Sequence, residues 1–310
     1  MRVHKPHRLR KGDTIGVVAP AWTFDKKHFM EGVETLRGFG YKVKYDSAIF
    51  GKFWSMAGHD KERAVQITRM FSDTEVRCIF CANAGYGSIR TLPFIDRRVV
   101  RDNPKIFIGY SDITILLTYL HHVARMVVFH GPVVAGELHR DMNPLNIEYL
   151  LRAIGSAESF GVLTFPEMRA IKAGRASGVL VGGNLSMIIS SLGTPYEVDL
   201  RNKILFLEEI DESMESIDNY LMQLKLGGRL AHLRGILIGR MLDCVDRSGN
   251  RYQVSDVIGD VFGGINIPIL SNFPSGHRLA GELNVTFPLG ITVTLDADEH
   301  SVRFHGSGVR

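Results

Sequence analysis

An apolar run stops abruptly in Phe107-Ile108-Gly109-Tyr110-Ser111-Asp112-Ile113-Thr114, and helical periodicity follows. A serine at such a strand-to-helix turn projects its hydroxyl from the sheet edge, where helix N-terminal amides face the same point; a nucleophile elbow is built this way. The pattern is incomplete, since Ile113 stands where a second glycine is usual. A plainer role competes, in which Ser111 or Asp112 caps the helix beginning near Ile113. A serine hydroxyl is a poor nucleophile until a base takes its proton; the base is usually a histidine whose tautomer is fixed by a carboxylate. Of 12 histidines, His277 stands in a glycine-containing loop, Phe273-Pro274-Ser275-Gly276-His277, just after an apolar stretch. A loop histidine is otherwise a solvated surface group. His121, His122 and His130 are its competitors, the first two within or just after the helix that follows Ser111. For the carboxylate, the apolar run Lys203-Ile204-Leu205-Phe206-Leu207 leads directly into Glu208-Glu209. Two carboxylates there are costly unless paired or wet. Neighbours on a strand face opposite ways, so only one reaches a histidine, and spacing alone leaves open which.

The loop Gly85-Tyr86-Gly87-Ser88 has glycines that free its amides to meet an anion or a developing oxyanion. It is no dinucleotide fingerprint, because Arg90 stands where a third glycine is needed, and no Gly-Lys-Ser/Thr of a P-loop is present. Cys78 and Cys81 form a C-x-x-C inside an apolar strand pattern, where an offset of three separates them onto opposite faces. No second cysteine pair and no H-E-x-x-H accompany them. Neither a metal nor a cofactor is expected.

The elements that must position these groups alternate. Apolar strand patterns at Thr14–Pro20, Tyr41–Tyr45, Cys78–Ala82, Ile106–Tyr110 and Met126–His130 are separated by helical ones, including Asp60–Phe71. That alternation predicts an α/β fold whose N-terminal sheet is mainly parallel and flanked by helices, with ligands beyond the carboxyl ends of the strands. Both Gly85-Tyr86-Gly87 and Ser111 fall at such ends. After His130-Gly131-Pro132 the pattern loosens through Asp141-Met142-Asn143. We expect an N-terminal domain over 1–155, a linker over 156–173, and a smaller C-terminal α/β domain rich in strands over 174–310. The latter holds a helix at Met214–Leu226 and a closing hairpin at Ile291–Leu295 and Ser301–Phe304. A length of 310 residues with 45% hydrophobic residues supports cores of this size, and the net charge of +4 demands neither nucleic acid nor a membrane surface. Part of the excess gathers in Arg2, Lys5, Arg8, Arg10 and Lys11, which no signal-type apolar segment follows. With 3 cysteines and no apolar stretch of spanning length, the expected location is the cytoplasm.

Taken in order, these stretches resemble the L,D-carboxypeptidase and microcin-immunity serine peptidases of the S66 type. The resemblance runs through Gly12–Ala21, Ala57–Ala64, Gly85–Arg90, Ile108–Asp112, His130-Gly131-Pro132, Gly182-Gly183-Asn184-Leu185, Leu205–Glu208, Gly276-His277 and Pro288-Leu289-Gly290. Each match is short; their order along nearly the whole chain gives them weight. The resemblance implies a serine–histidine–glutamate triad, matched by Ser111, His277 and Glu208. It also implies a homodimer and two substrate classes: a murein tetrapeptide that loses its terminal D-alanine, and a peptidyl-nucleotide antibiotic. For the oxyanion we expect the backbone amides of Asp112 and Gly85, and for substrate contacts Tyr86, Gly87, Arg90 and Asn184. The chain departs from the family in having Asn83-Ala84 where Arg-Gly is usual, and Trp22 where serine is usual. Loss of that arginine removes one cation available to a substrate carboxylate, for which Arg90 is a replacement. Trp22, Phe53 and Trp54 offer aromatic surface for a nucleobase, or serve as packing residues. A rival of another class is a non-catalytic small-molecule binder using the same cleft.

Overall fold

The computed structural model describes residues 3–140 and 143–310; Arg2, named above for charge, and Asp141 and Met142, named for loop pattern, lie outside the described residues, as does Met1. The first half runs β1 (Thr14–Val18), α1 (Lys26–Gly38), β2 (Lys42–Tyr45), α2 (Asp60–Ser72), β3 (Val76–Cys81), α3 (Arg97–Asp102), β4 (Ile106–Gly109), α4 (Thr114–Ala124) and β5 (Val128–His130). A helix α5 (Pro144–Gly155) leads to β6 (Gly161–Leu163), β7 (Arg169–Lys172), β8 (Arg175–Asn184), α6 (Leu185–Ser191), β9 (Lys203–Ile210) and α7 (Met214–Leu226). The chain closes with β10 (Gly235–Leu242), α8 (Val254–Phe262), β11 (Ile269–Ser271), β12 (Phe287–Leu289), β13 (Thr292–Asp296) and β14 (Ser301–Phe304).

These strands form two sheets. The six-stranded one has the order β12-β5-β4-β3-β1-β2 and is parallel except at its β12 edge. The eight-stranded one has the order β6-β14-β13-β8-β9-β10-β11-β7, with a parallel centre from β8 to β11 and antiparallel flanks. The α/β layout expected from the sequence is present. Two local expectations need correction. The stretch 156–173 is more than a linker, since it supplies β6 and β7 at opposite edges of the second sheet. Both strands are short, which leaves little periodicity to read. Phe287–Leu289 returns to the first sheet, pairing with β5 as Phe287 opposite His130. Helix α8 was also not anticipated; its Val254, Val257, Ile258 and Val261 are β-branched residues with low helix propensity, and tertiary burial overrides that preference.

The two sheets are joined by packing. Alternate residues on β9 face opposite layers: Ile204 and Phe206 join the core shared with the first half, whereas Leu205 and Leu207 pack under α6, α7 and α8. Leu180 against Val181, Leu237 against Ile238 and Leu270 against Ile269 divide the same way. At the shared layer Phe206 and Phe287 meet edge to face with centroids 5.0 Å apart, an arrangement worth about 0.5–1.5 kcal/mol beyond burial. The seam tightens near Ser111. The Asn184 amide donates to Thr114 Oγ1 at 3.0 Å, and a Cβ at Gly183 would stand 2.4 Å from that hydroxyl oxygen. Only glycine admits this approach.

Candidate active site

Ser111, with φ of 61°, follows the end of β4 after one intervening residue and opens the 3₁₀ turn Ser111–Ile113 that continues into α4. The left-handed conformation is unfavourable for a residue with a Cβ by about 1–3 kcal/mol, a strain that marks functional turns. It aims the hydroxyl out of the sheet edge. Gly109 permits the sharp turn, because a Cβ there would meet Ile113 Cγ2 at 2.6 Å. The capping alternative finds no support in geometry: the serine side chain makes no cap bond, and its Oγ lies 3.0 Å from His277 Nε2.

His277 comes from the loop between β11 and β12. Its Nδ1 lies 2.7 Å from Glu208 Oε2, and the same oxygen accepts the His277 backbone amide at 3.1 Å. Gly276, with φ of 122°, makes this possible, since a Cβ on it would press 2.8 Å from the Glu208 Cβ. Glu208 is fully buried and extends the Ile204–Phe206 side of β9, toward the first half of the chain. Glu209 extends the other side. Its carboxylate accepts from Asn184 Nδ2 at 2.7 Å, the Ser186 amide at 2.7 Å and its neighbour Ile210 at 3.0 Å, fastening α6 to the sheet. Strand parity therefore decides which glutamate meets the histidine.

The electrostatics follow from this chain of contacts. Burial acts to raise the Glu208 pKa, but the His277 charge and hydrogen bonds outweigh it and hold the carboxyl below its ordinary value. At His277 burial favours the neutral ring, and the Glu208 carboxylate overcomes it, raising the imidazole above its ordinary value. Sequence order gave no sign of Glu137 as a neighbour of this site, nor that Tyr110, next to Ser111, meets the histidine. The Tyr110 ring lies 5.0 Å from that of His277, and its hydroxyl donates to Glu137, which also accepts the Val133 amide at 3.0 Å.

The glycine loop stands beside the serine through Asp112. The buried Asp112 carboxylate accepts the Ser88 amide at 2.9 Å, and Ser88 Oγ donates to the Asp112 carbonyl at 2.6 Å. Arg63, wholly buried, donates to the carbonyls of Pro20 and Gly87 and pairs with Asp60 at 2.6 Å. A buried arginine on an amphipathic helix is not legible from spacing. Gly85 has φ of 109° and lies against the Trp22 ring; among the described residues its amide has no protein acceptor. Tyr86 is exposed at the loop tip. Two expected contact residues are otherwise engaged. Arg90 is bound to Asp60, with Nε 2.9 Å from Oδ1, and its guanidinium lies 5.8 Å from the Trp54 ring centre. The buried Asn184 side chain caps α6 and holds Glu209.

A serine hydroxyl, an imidazole and a buried carboxylate in one hydrogen-bonded line can deprotonate the serine as it attacks a carbonyl. Residues 15–131 match the model of the LD-carboxypeptidase N-terminal domain, and residues 177–295 that of the LD-carboxypeptidase C-terminal domain. The chain belongs to the LD-carboxypeptidase family. A probable murein peptide carboxypeptidase of Bacillus subtilis (strain 168) is 36% identical over 298 residues, covering 96% of this chain and 92% of that one. The Microcin C7 self-immunity protein MccF of Escherichia coli is 28% identical over 329 residues, covering 95% and 93%. The structure of MccF in complex with glutamyl sulfamoyl guanosine has the same fold, with a TM-score of 0.90 at 24% identity over 99% of each chain. This LD-carboxypeptidase family member is thus a serine carboxypeptidase. Among the described residues no helix is long and apolar enough to cross a membrane.

Proposed function

We propose that the chain removes the terminal D-alanine from a murein tetrapeptide, with Ser111 as nucleophile, His277 as general base and Glu208 as the group that orients it. The observation that carries this reading is the unbroken line Ser111 Oγ, His277 Nε2, His277 Nδ1, Glu208 Oε2, at 3.0 and 2.7 Å. Ser111 attacks the carbonyl of the amide preceding D-alanine and passes its proton to Nε2. The tetrahedral oxyanion is met by the Asp112 amide, at the unpaired start of the helical segment, and by the Gly85 amide. Collapse expels the amine, which takes the proton back from His277. Water then attacks the acyl-enzyme with His277 again as base.

A carboxypeptidase also has to recognise a terminal carboxylate. With Arg90 held by Asp60, the cation we assign is Arg278, beside His277: among the described residues it has no carboxylate partner, and its only hydrogen bond is to the Leu279 carbonyl at 2.9 Å. Tyr86 and Gly87 remain the loop residues we expect against the peptide. A second reading, cleavage of a peptidyl-nucleotide, draws on the exposed aromatic surface of Trp22, Trp54 and Tyr86 beside the loop, and on the MccF relative. We read the protein as cytoplasmic, in keeping with its free cysteines, and as a homodimer, which sedimentation would test.

The deciding experiment is mass spectrometry of wild type and Ser111→Ala after incubation with a murein tetrapeptide ending in D-alanine and, separately, an aminoacyl sulfamoyl nucleotide. Loss of D-alanine with wild type alone supports the first reading. Cleavage of the nucleotide alone supports the second, and no cleavage of either sinks both.

A further inference from the structure

Resting on the triad reading above, we propose that His130 is a positioning residue for Glu208: its Nε2 and the free Glu208 Oε1 share one buried water that fixes the carboxylate toward His277. His130 ends β5 and is 1% exposed, with its ring against those of Tyr110, Phe206 and Phe287. Its Nδ1 lies 3.2 Å from Ser275 Oγ, which itself stands 2.8 Å from the Val285 carbonyl. A carbonyl only accepts, so the single serine hydrogen goes to Val285. Toward His130 the hydroxyl is therefore an acceptor, and Nδ1 carries the ring proton. Burial drives the His130 pKa down to about 4, so the ring is neutral at pH 7 and Nε2 is a bare acceptor.

That nitrogen is buried with no protein partner, and so is Glu208 Oε1. The two groups share one neighbourhood: the His130 ring lies 5.0 Å from that of Phe206, two residues before Glu208 on the same face of β9, and the segment Ser275-Gly276-His277 touches His130 through Ser275 and Glu208 through Gly276 and His277. Two acceptors cannot satisfy one another, whereas a water donates one hydrogen to each. The consequence is rotational. Oε2 is held by the His277 ring and backbone, and a bond on Oε1 completes the clamp on the carboxylate plane. Ser275 lies two residues before His277, so the same histidine also braces the loop that carries the base.

The test compares wild type with His130→Phe and His130→Gln. Phenylalanine preserves the ring among its aromatic neighbours and removes the acceptor, leaving a buried carboxylate oxygen without its partner; glutamine restores a polar group. We expect His130→Phe to lower kcat on the tetrapeptide by roughly 10- to 100-fold with KM nearly unchanged. We also expect it to shift or broaden the downfield proton resonance of His277 Nδ1, and His130→Gln to recover part of both. His130→Leu stands in if the phenylalanine variant does not fold. Wild-type kcat and an unmoved resonance in the apolar variant would show that His130 only fills the core, and would overturn the proposal. The resonance is read without substrate, so a wrong substrate assignment fails separately, in the wild-type turnover assay.

Discussion

Glu208 and Glu209 are neighbours on one strand and serve opposite layers of the protein: the first bonds to His277 at 2.7 Å, the second holds the amide of Ser186 at 2.7 Å. Their substitutions should separate accordingly. Glu208→Gln replaces an acceptor by a carboxamide that can present a donor to Nδ1, so the histidine tautomer is wrong for catalysis. We expect kcat to fall on the order of 10³–10⁴-fold with the fold retained. Glu209→Gln leaves kcat within a few-fold but costs about 1–3 kcal/mol of stability, because a carboxamide cannot accept from all three donors. Steady-state kinetics and denaturant unfolding of both variants check this; equal loss of kcat in the two would refute the division of labour.

The pH profile follows from the same pair. His277 acts as a base only when neutral, and Glu208 raises its pKa against the opposing effect of burial. The acid limb of kcat/KM should therefore inflect above the ordinary imidazole value of about 6.5. A raised histidine contributes stability that is present below its unfolded pKa and lost as pH rises through the folded one; the lowered Glu208 contributes stability that is lost as pH falls through its own folded value. The residual activity of Glu208→Gln should show its acid limb moved to lower pH. An unmoved limb would mean that Glu208 does not set the base.

Gly276 should tolerate no side chain. At φ of 122° a Cβ would stand 2.8 Å from Glu208 Cβ and 2.9 Å from Oε2, so Gly276→Ala must displace either the loop or the triad carboxylate. The expected result is a kcat loss of at least about 100-fold, since misplacement by about 1 Å has that effect. Kinetics on the soluble variant would check it, and near wild-type kcat would show that the loop yields without cost.

Much of this site could be seen in the sequence because its signals are local. Ser111 announced itself by a strand that stops at a glycine and a helix that follows, and the structure places it there with its φ at 61°. The two glutamates were legible as a pair but not as a choice, because parity acquires meaning only once it is known which layer each strand face meets. His277 resembled any loop histidine until Glu208 came beside it from another strand. The roles of Arg63 and of His130, a candidate base by sequence, were beyond reach for a related reason: a buried polar side chain is explained by the carbonyls and hydroxyls around it, here Pro20, Gly87 and Ser275, all remote in sequence. β12 was hidden because a three-residue edge strand carries almost no period, and its place depends on the aromatic layer that Phe287 completes.

Substitution of Arg278, the cation proposed to meet the terminal carboxylate, tests removal of a terminal residue against cleavage of an internal amide. An arginine that meets the substrate carboxylate binds ground state and transition state alike, so its loss appears in KM. Arg278→Ala should raise KM for the tetrapeptide by about 10- to 100-fold, with kcat changed only a few-fold, consistent with loss of one charge-assisted hydrogen-bonded contact. A tetrapeptide whose terminal carboxylate is converted to an amide should be a poor substrate for wild type and lose little further with Arg278→Ala. The double comparison matters because Arg278 adjoins His277, and a disturbed base would lower kcat on both peptides equally. That equal loss of kcat, or an unchanged KM, would move the carboxylate anchor elsewhere and leave Arg278 as a residue of the loop alone.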